Sequence, residues 1–165
     1  MHGIFHMKTV KKAGFILLVS AVSFAGPRVN VVSYDELKNA TQRDNDTLYV
    51  VNFWATWCDP CVHELPVFQQ AYVKYASKKV KMVFVSMNSA KDIAKVEKFA
   101  QEKDLKPQVL LLGSNKMNVW INNVDTSWDG AIPVTALYRH GKKLYFHQGE
   151  FTQQELNTLI QSKLK

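Results

Sequence analysis

The sequence predicts an α/β domain in which a central mixed β-sheet is flanked by helices on both faces. Three observations predict it. Short apolar runs rich in β-branched and aromatic residues alternate with stretches patterned as helices. Two late runs are separated only by His140-Gly141-Lys142, which reads as a hairpin, and a last helix follows them. At 165 residues, 47% hydrophobic and 12% aromatic, the chain suits one globular domain with a substantial core.

The elements follow in order. Lys8, Lys11 and Lys12 precede an apolar stretch from Ala13 to Ala25, with small residues at Ser23 and Ala25. That pattern is expected of a secretory signal peptide over residues 1–25, leaving one domain over 26–165. Met7 is an alternative start, and the leader is either cleaved or kept as an anchor. Without residues 1–25 the balance is 18 basic against 14 acidic residues, or +4, compared with +7 for the full chain. So weak and scattered an excess gives nucleic-acid binding no support.

Val29 to Val32 reads as a short strand, and Ser33-Tyr34-Asp35-Glu36 as a capping box opening a helix. Thr47 to Ala55 is nearly continuous apolar, as in a strand buried on both faces. A helix is expected from about Cys58 to Ala76, with Pro60 in its first turn and a kink at Pro66. Its inward stripe reads Cys61, Leu65, Phe68, Tyr72 and Tyr75. Val80 to Met87 is the next strand, and Ser89 to Asp92 opens a helix through Lys103 with Ile93, Val96 and Ala100 inward. Gln108 to Leu112 is a strand, and Ser114 is expected to cap a helix through Ile121. Asn122 to Gly130 reads as an irregular loop ending at Ile132-Pro133. Val134–Arg139 and Lys143–His147 form the hairpin. Thr152-Gln153-Gln154-Glu155 is a second capping box, stapled by Phe151 and Leu156.

Cys58 and Cys61 are the only cysteines, and they fall where the second strand turns into its helix. A C-x-x-C pair at a helix start is the arrangement that thiol–disulfide exchange needs: one exposed sulfur activated by the helix terminus, a second within bonding reach. As a purely structural bridge it would be poor, because so short a ring removes little loop entropy from the unfolded chain.

With the elements in that order, the chain resembles the thioredoxin superfamily, and more narrowly its exported TlpA/ResA-like thiol–disulfide oxidoreductases. The likeness rests on Val51-Asn52-Phe53-Trp54-Ala55-Thr56-Trp57-Cys58-Asp59-Pro60-Cys61, on Glu64-Leu65-Pro66, and on Gly130-Ala131-Ile132-Pro133. The resemblance implies that Cys58 is the exposed attacking thiol and Cys61 the buried resolving thiol of a redox-active disulfide. It implies that Glu64 is the acidic residue three positions further on, and that Pro133 is the cis-proline of the substrate groove. Asn52 stands where cytoplasmic thioredoxins carry a buried Asp, so proton handling passes to Glu64 as the better candidate. The alternative reading of Glu64 is a solvated first-turn acid favoured by the helix dipole. Trp57, Pro60, Ile132 and Pro133 are expected to form the substrate-binding wall; Trp54 is open to core or wall, and Trp128 to reaching the site through its loop.

No cofactor is expected. The resemblance implies disulfide-bearing exported proteins as partners, a membrane thiol-transfer protein as electron donor, and a location in the periplasm or cell envelope. Asp59 sits beside Cys58 and opposes its negative charge, which disfavours the thiolate and with it the reduced form. The expected potential is therefore near that of thioredoxin, about −270 mV, rather than near about −120 mV for an oxidant such as DsbA. Three other readings bear on the same cysteines. A Cu(I)-binding module could use the same two thiolates, although a tetrahedral zinc site would need two more ligands. A peroxidase would need a threonine two or three residues before a lone reactive cysteine, a combination absent here. Haem attachment is excluded because Val62, not histidine, follows Cys61.

Overall fold

The structure, a computed structural model, describes residues 28–113 and 117–165. The expected signal segment and the expected cap at Ser114 lie outside the described residues. Among those described, no helix is long and apolar enough to cross a membrane.

Six strands form one sheet: β1 (Asn30–Val32), β2 (Leu48–Trp54), β3 (Val80–Ser86), β4 (Gln108–Leu112), β5 (Val134–Arg139) and β6 (Lys142–Gln148). Their spatial order is β1-β4-β3-β2-β5-β6. The first four run parallel, whereas β2–β5 and β5–β6 are antiparallel. All seven residues of β2 are buried, as its nearly continuous apolar run requires of a central strand covered on both sides.

The helices are α1 (Tyr34–Thr41), α2 (Asp59–Lys74), α3 (Ile93–Glu102), α4 (Met117–Val124) and α5 (Gln153–Leu164). The pleat of β2 sorts its side chains between two cores. Leu48, Val50 and Trp54 belong to one cluster with Leu65 and Phe68 of α2, Val96 of α3 and Leu156 and Ile160 of α5. Tyr49, Val51 and Phe53 belong to the other, with Leu37 of α1 and Trp120 and Val124 of α4. Burying each such aliphatic or aromatic side chain contributes about 1.5–3 kcal/mol.

Local details add to or depart from expectation in several places. Tyr72 remains 37% exposed, lining an open groove with Tyr75, Val80 and Met82, and Ala71 is buried in its place. Pro66 lies inside α2, which runs unbroken from Asp59 to Lys74. A 3-10 turn over Ala90–Asp92, capped by Ser89, precedes α3, whose Val96 and Ala100 are buried while Ile93 packs half-buried against the same core. The loop expected from Asn122 is helical as far as Val124, because Trp120 and Val124, one turn apart, both reach the second core. The hairpin turns on His140 and Gly141 at φ 51° and 69°, the left-handed pair that a two-residue turn between twisted strands demands.

Candidate active site

The register of the sheet brings the site together. Phe53 near the C-terminal end of β2 pairs with Val134 at the N-terminal end of β5, so whatever follows β2 meets whatever precedes β5. Those are the segments holding Cys58 and Pro133. The loop after β2 is fixed to the loop after β3: Thr56 N–H donates to Asn88 Oδ1 at 3.0 Å, and Asn88 Nδ2 donates back to Thr56 Oγ1 at 2.8 Å. Asn88 is a site-shaping residue that its sequence context, between a strand and a turn, does not single out.

Cys58 and Cys61 are joined, with S–S 2.04 Å and Cα–Cα 5.2 Å. Cys58 is the N-cap of α2, and its Sγ accepts from the Cys61 N–H at 3.3 Å. Helix starts carry N–H groups with no partner in the helix, and here the sulfur takes the acceptor position usually given to a Ser, Thr or Asp oxygen. Pro60 supplies no N–H, so one donor that could otherwise face a Cys58 thiolate is missing. Asp59 and Pro60 are both exposed.

The two cysteines are not divided as expected into exposed and buried. Cys58 is only 5% exposed and Cys61 0%. The Cys58 Sγ is tucked 3.7 Å from the Ile132 carbonyl, a contact in the disulfide and a possible S–H donor position in the dithiol. Trp57, by contrast, is 63% exposed, the most exposed aromatic side chain among the described residues. It flanks Cys58 in the chain with its ring open to solvent.

The Ile132–Pro133 peptide bond is cis. Ala131, just before it, is held from both ends: its N–H donates to Asp129 Oδ1 at 2.9 Å, and its carbonyl accepts from Trp128 Nε1 at 2.8 Å. The Pro133 carbonyl accepts from Gly149 N–H at 2.9 Å. Trp128 does not reach the disulfide. It is buried against Phe53, Trp120 and Phe146, and acts as a brace for the loop that presents Ile132. Trp54 is fully buried core.

Glu64 is 1% exposed, which removes the solvated-acid reading. Its Oε1 accepts from Asn52 Nδ2 at 2.7 Å and its Oε2 from the Phe151 N–H at 3.1 Å. Burial pushes its carboxyl up to about 7; the two donors oppose this, and the nearby Glu150 carboxylate adds to it. Asn52 and Thr135 are register partners on β2 and β5, joined by an Asn52 Nδ2–Thr135 Oγ1 hydrogen bond of 3.2 Å. This buried polar pair lies under α2 in an otherwise apolar row. Asn52 alone interrupts the inward row Leu48, Val50, Trp54, which is the signal that it is more than strand filler. His63 is exposed and pairs with Glu150 Oε2 at 2.9 Å.

Among the described residues no group of three or more His, Cys, Asp or Glu side chains is placed to hold a metal ion. A copper reading would rest on the two thiolates alone.

Comparison with known proteins adds a family. The profile of the AhpC/TSA family matches residues 20–147. The chain belongs to this family. Among curated relatives, the thiol–disulfide oxidoreductase ResA of Bacillus cereus is 31% identical over 112 residues, 67% of this chain and 60% of its own length. The ResA of Oceanobacillus iheyensis is 45% identical over 56 residues, 34% of this chain and 28% of its own length. The chain thus spans three-fifths or less of the length of these curated relatives. Among solved structures, StoA from Bacillus subtilis superposes with a TM-score of 0.55 at 25% identity, covering 70% of this chain and 84% of that one. A thioredoxin family thiol:disulfide interchange protein from Chlorobium tepidum TLS gives 0.63 at 20% identity, covering 73% and 82%. This family member therefore has the thioredoxin-like fold that the sequence led us to expect.

Proposed function

We propose that this protein is an exported thiol–disulfide oxidoreductase that reduces disulfides of envelope proteins through a Cys58/Cys61 dithiol–disulfide cycle. The observation that carries the reading is the Cys58–Cys61 disulfide at the first turn of α2, with the Cys58 sulfur on the helix cap and against Ile132. The ResA relatives, whose names are those of thiol–disulfide oxidoreductases, support it.

In the reducing direction the Cys58 thiolate attacks one sulfur of the substrate disulfide and expels the other as a thiolate. Cys61 gives up its proton and attacks Cys58, which releases the second substrate sulfur and closes the disulfide again. Glu64, one helical turn from Cys61 and poised near neutral, receives that proton. The small exposure of Cys58 restricts attack to a substrate strand laid along Ile132 and beside Trp57, pairing with backbone in the manner of an added strand. Export rests on the leader pattern of residues 1–25, and the electron donor is a membrane thiol-transfer protein by resemblance.

An insulin-reduction assay with dithiothreitol tests the reading. The protein should accelerate precipitation and Cys58→Ser should not; equal rates would overturn the cycle. Redox titration against glutathione tests direction, and a potential near about −120 mV would reverse it.

A further inference from the structure

Asn52 occupies a position where a polar side chain is expensive unless its hydrogen bonds are made. Both hydrogens of its Nδ2 are committed, one to Glu64 Oε1 at 2.7 Å and one to Thr135 Oγ1 at 3.2 Å. Its Oδ1 is buried and has no partner among the described residues. An amide so placed serves the Glu64 carboxylate well and the Glu64 carboxylic acid badly, because a protonated oxygen needs an acceptor.

We propose that Asn52 is a reversible positioning residue for Glu64: its amide donates to the carboxylate as seen here, and turns over to accept from the carboxylic acid once Glu64 holds a proton. Three features of the site allow the turn. The oxygen and nitrogen of an amide fill nearly the same volume, and the terminal torsion of Asn is broad and roughly two-fold. Thr135, which now accepts from Nδ2, carries a hydroxyl that can equally donate to Oδ1. The turn exchanges one carbonyl oxygen without a partner among the described residues for an unpartnered NH2, a cost that the new hydrogen bond from the carboxylic acid offsets. The register partnership of Asn52 and Thr135 keeps both groups on one pleat under α2 throughout.

The inference rests on the reading that Glu64 takes the Cys61 proton. In that step the proton leaves Cys61 Sγ for a Glu64 oxygen, and the amide turn itself moves no electrons and breaks no covalent bond. The groups facing Glu64 are few. On its own helix there is Cys61, a titrating thiol only in the reduced protein. From the segment before α5 come the Phe151 N–H and the Glu150 carboxylate, the latter paired with His63. His147 of β6 packs on the Phe151 ring, and Glu155 is tied into the α5 cap. From β2 and β5 come only the neutral Asn52 and Thr135. Of the two groups that hydrogen-bond Glu64 directly, the Phe151 N–H can only donate, and Asn52 can change from donor to acceptor.

The test is an NMR titration of the oxidised protein from about pH 5 to about pH 9, following the Glu64 carboxyl carbon and the Asn52 side-chain amide together. The Asn52 amide should titrate with the midpoint of Glu64 and be flat in Glu64→Gln. Asn52→Leu should raise the Glu64 midpoint by about one pH unit, a tenfold change, as the ion loses its donor. An Asn52 amide that stays flat while Glu64 titrates would overturn the turn. An Asn52→Leu midpoint unmoved from that of the parent would overturn the partnership. If Asn52→Leu does not fold, the parent titration and the Glu64→Gln control decide alone. The reading of Glu64 as proton acceptor fails separately, through a Glu64→Gln protein whose turnover keeps the parent's pH profile, since none of these titrations involves turnover.

Discussion

Three helices in this molecule begin with the same spacing and put it to different uses. At α1 and α5 a hydroxyl caps the helix and a glutamate three residues on reaches back: Ser33 with Glu36, Thr152 with Glu155. At α2 the cap is Cys58, and three residues on stands Cys61. The hydroxyl boxes close by reciprocal hydrogen bonds, such as Glu155 Oε2 accepting from the Thr152 N–H at 2.8 Å. The α2 box closes by a covalent bond that thiol chemistry can open. In the hydroxyl boxes the acid at the third position is exposed, and its hydrogen bonds from the cap hold its pKa below the usual carboxylate value. The acid of α2, Glu64, lies one turn deeper and is driven the other way by burial. The same local geometry thus closes with hydrogen bonds where the partners are oxygen and nitrogen, and with a reducible covalent bond where they are sulfur.

The comparison breaks most decisively at the cysteines. Cys61→Ser should leave Cys58 able to attack but unable to be released, so covalent adducts with partner polypeptides should accumulate on non-reducing gels. Absence of any adduct would remove the catalytic half of the comparison.

Next in size is the pH dependence set by Glu64. Its carboxyl titrates near 7 when folded and near 4.5 when unfolded. Between those values the folded state holds a proton that the unfolded chain has lost, so stability is fully present below about 4.5 and falls as pH rises through about 7. The loss is on the order of 3 kcal/mol. Denaturant midpoints of Glu64→Gln, followed against pH, should lack this slope; a slope equal to the parent's would show that Glu64 does not set it.

A smaller effect is expected at the hydroxyl caps. Thr152→Ala should cost about 1 kcal/mol in denaturant melts. It should leave the disulfide potential within roughly 5 mV of the parent. A large change in potential would show that the α5 cap is not independent of the site.

The smallest belongs to Asp59. Asp59→Asn removes a negative charge beside Cys58 and should raise the potential by on the order of 10 mV, since an exposed charge acts through screened solvent. A fall in potential on glutathione titration would reverse the sign assigned to this residue.

Much of this was legible in advance because it is local. Capping boxes, the apolar run of β2, the hairpin and the C-x-x-C pair are each set by residues within one turn or one strand. Tyr72 and the helical stretch to Val124 escape the sequence pattern because both depend on what lies opposite: an open groove in one case, an aromatic core in the other. Trp128 shows the same limit, since its indole could be assigned only once Ala131 was seen to turn back onto it.

The sequence by itself determined the order of strands and helices, the caps, and the pair of sulfurs at a helix start, all of which follow from short-range sterics and hydrogen bonding. Only the tertiary structure decided that Cys58 is shielded by Ile132, that Glu64 is buried, and that Asn52 and Thr135 meet beneath it. Those facts come from the pairing register of β2 with β5 and the descent of α2 onto the sheet. Such register joins residues as far apart as Asn52 and Thr135, and no local pattern carries it.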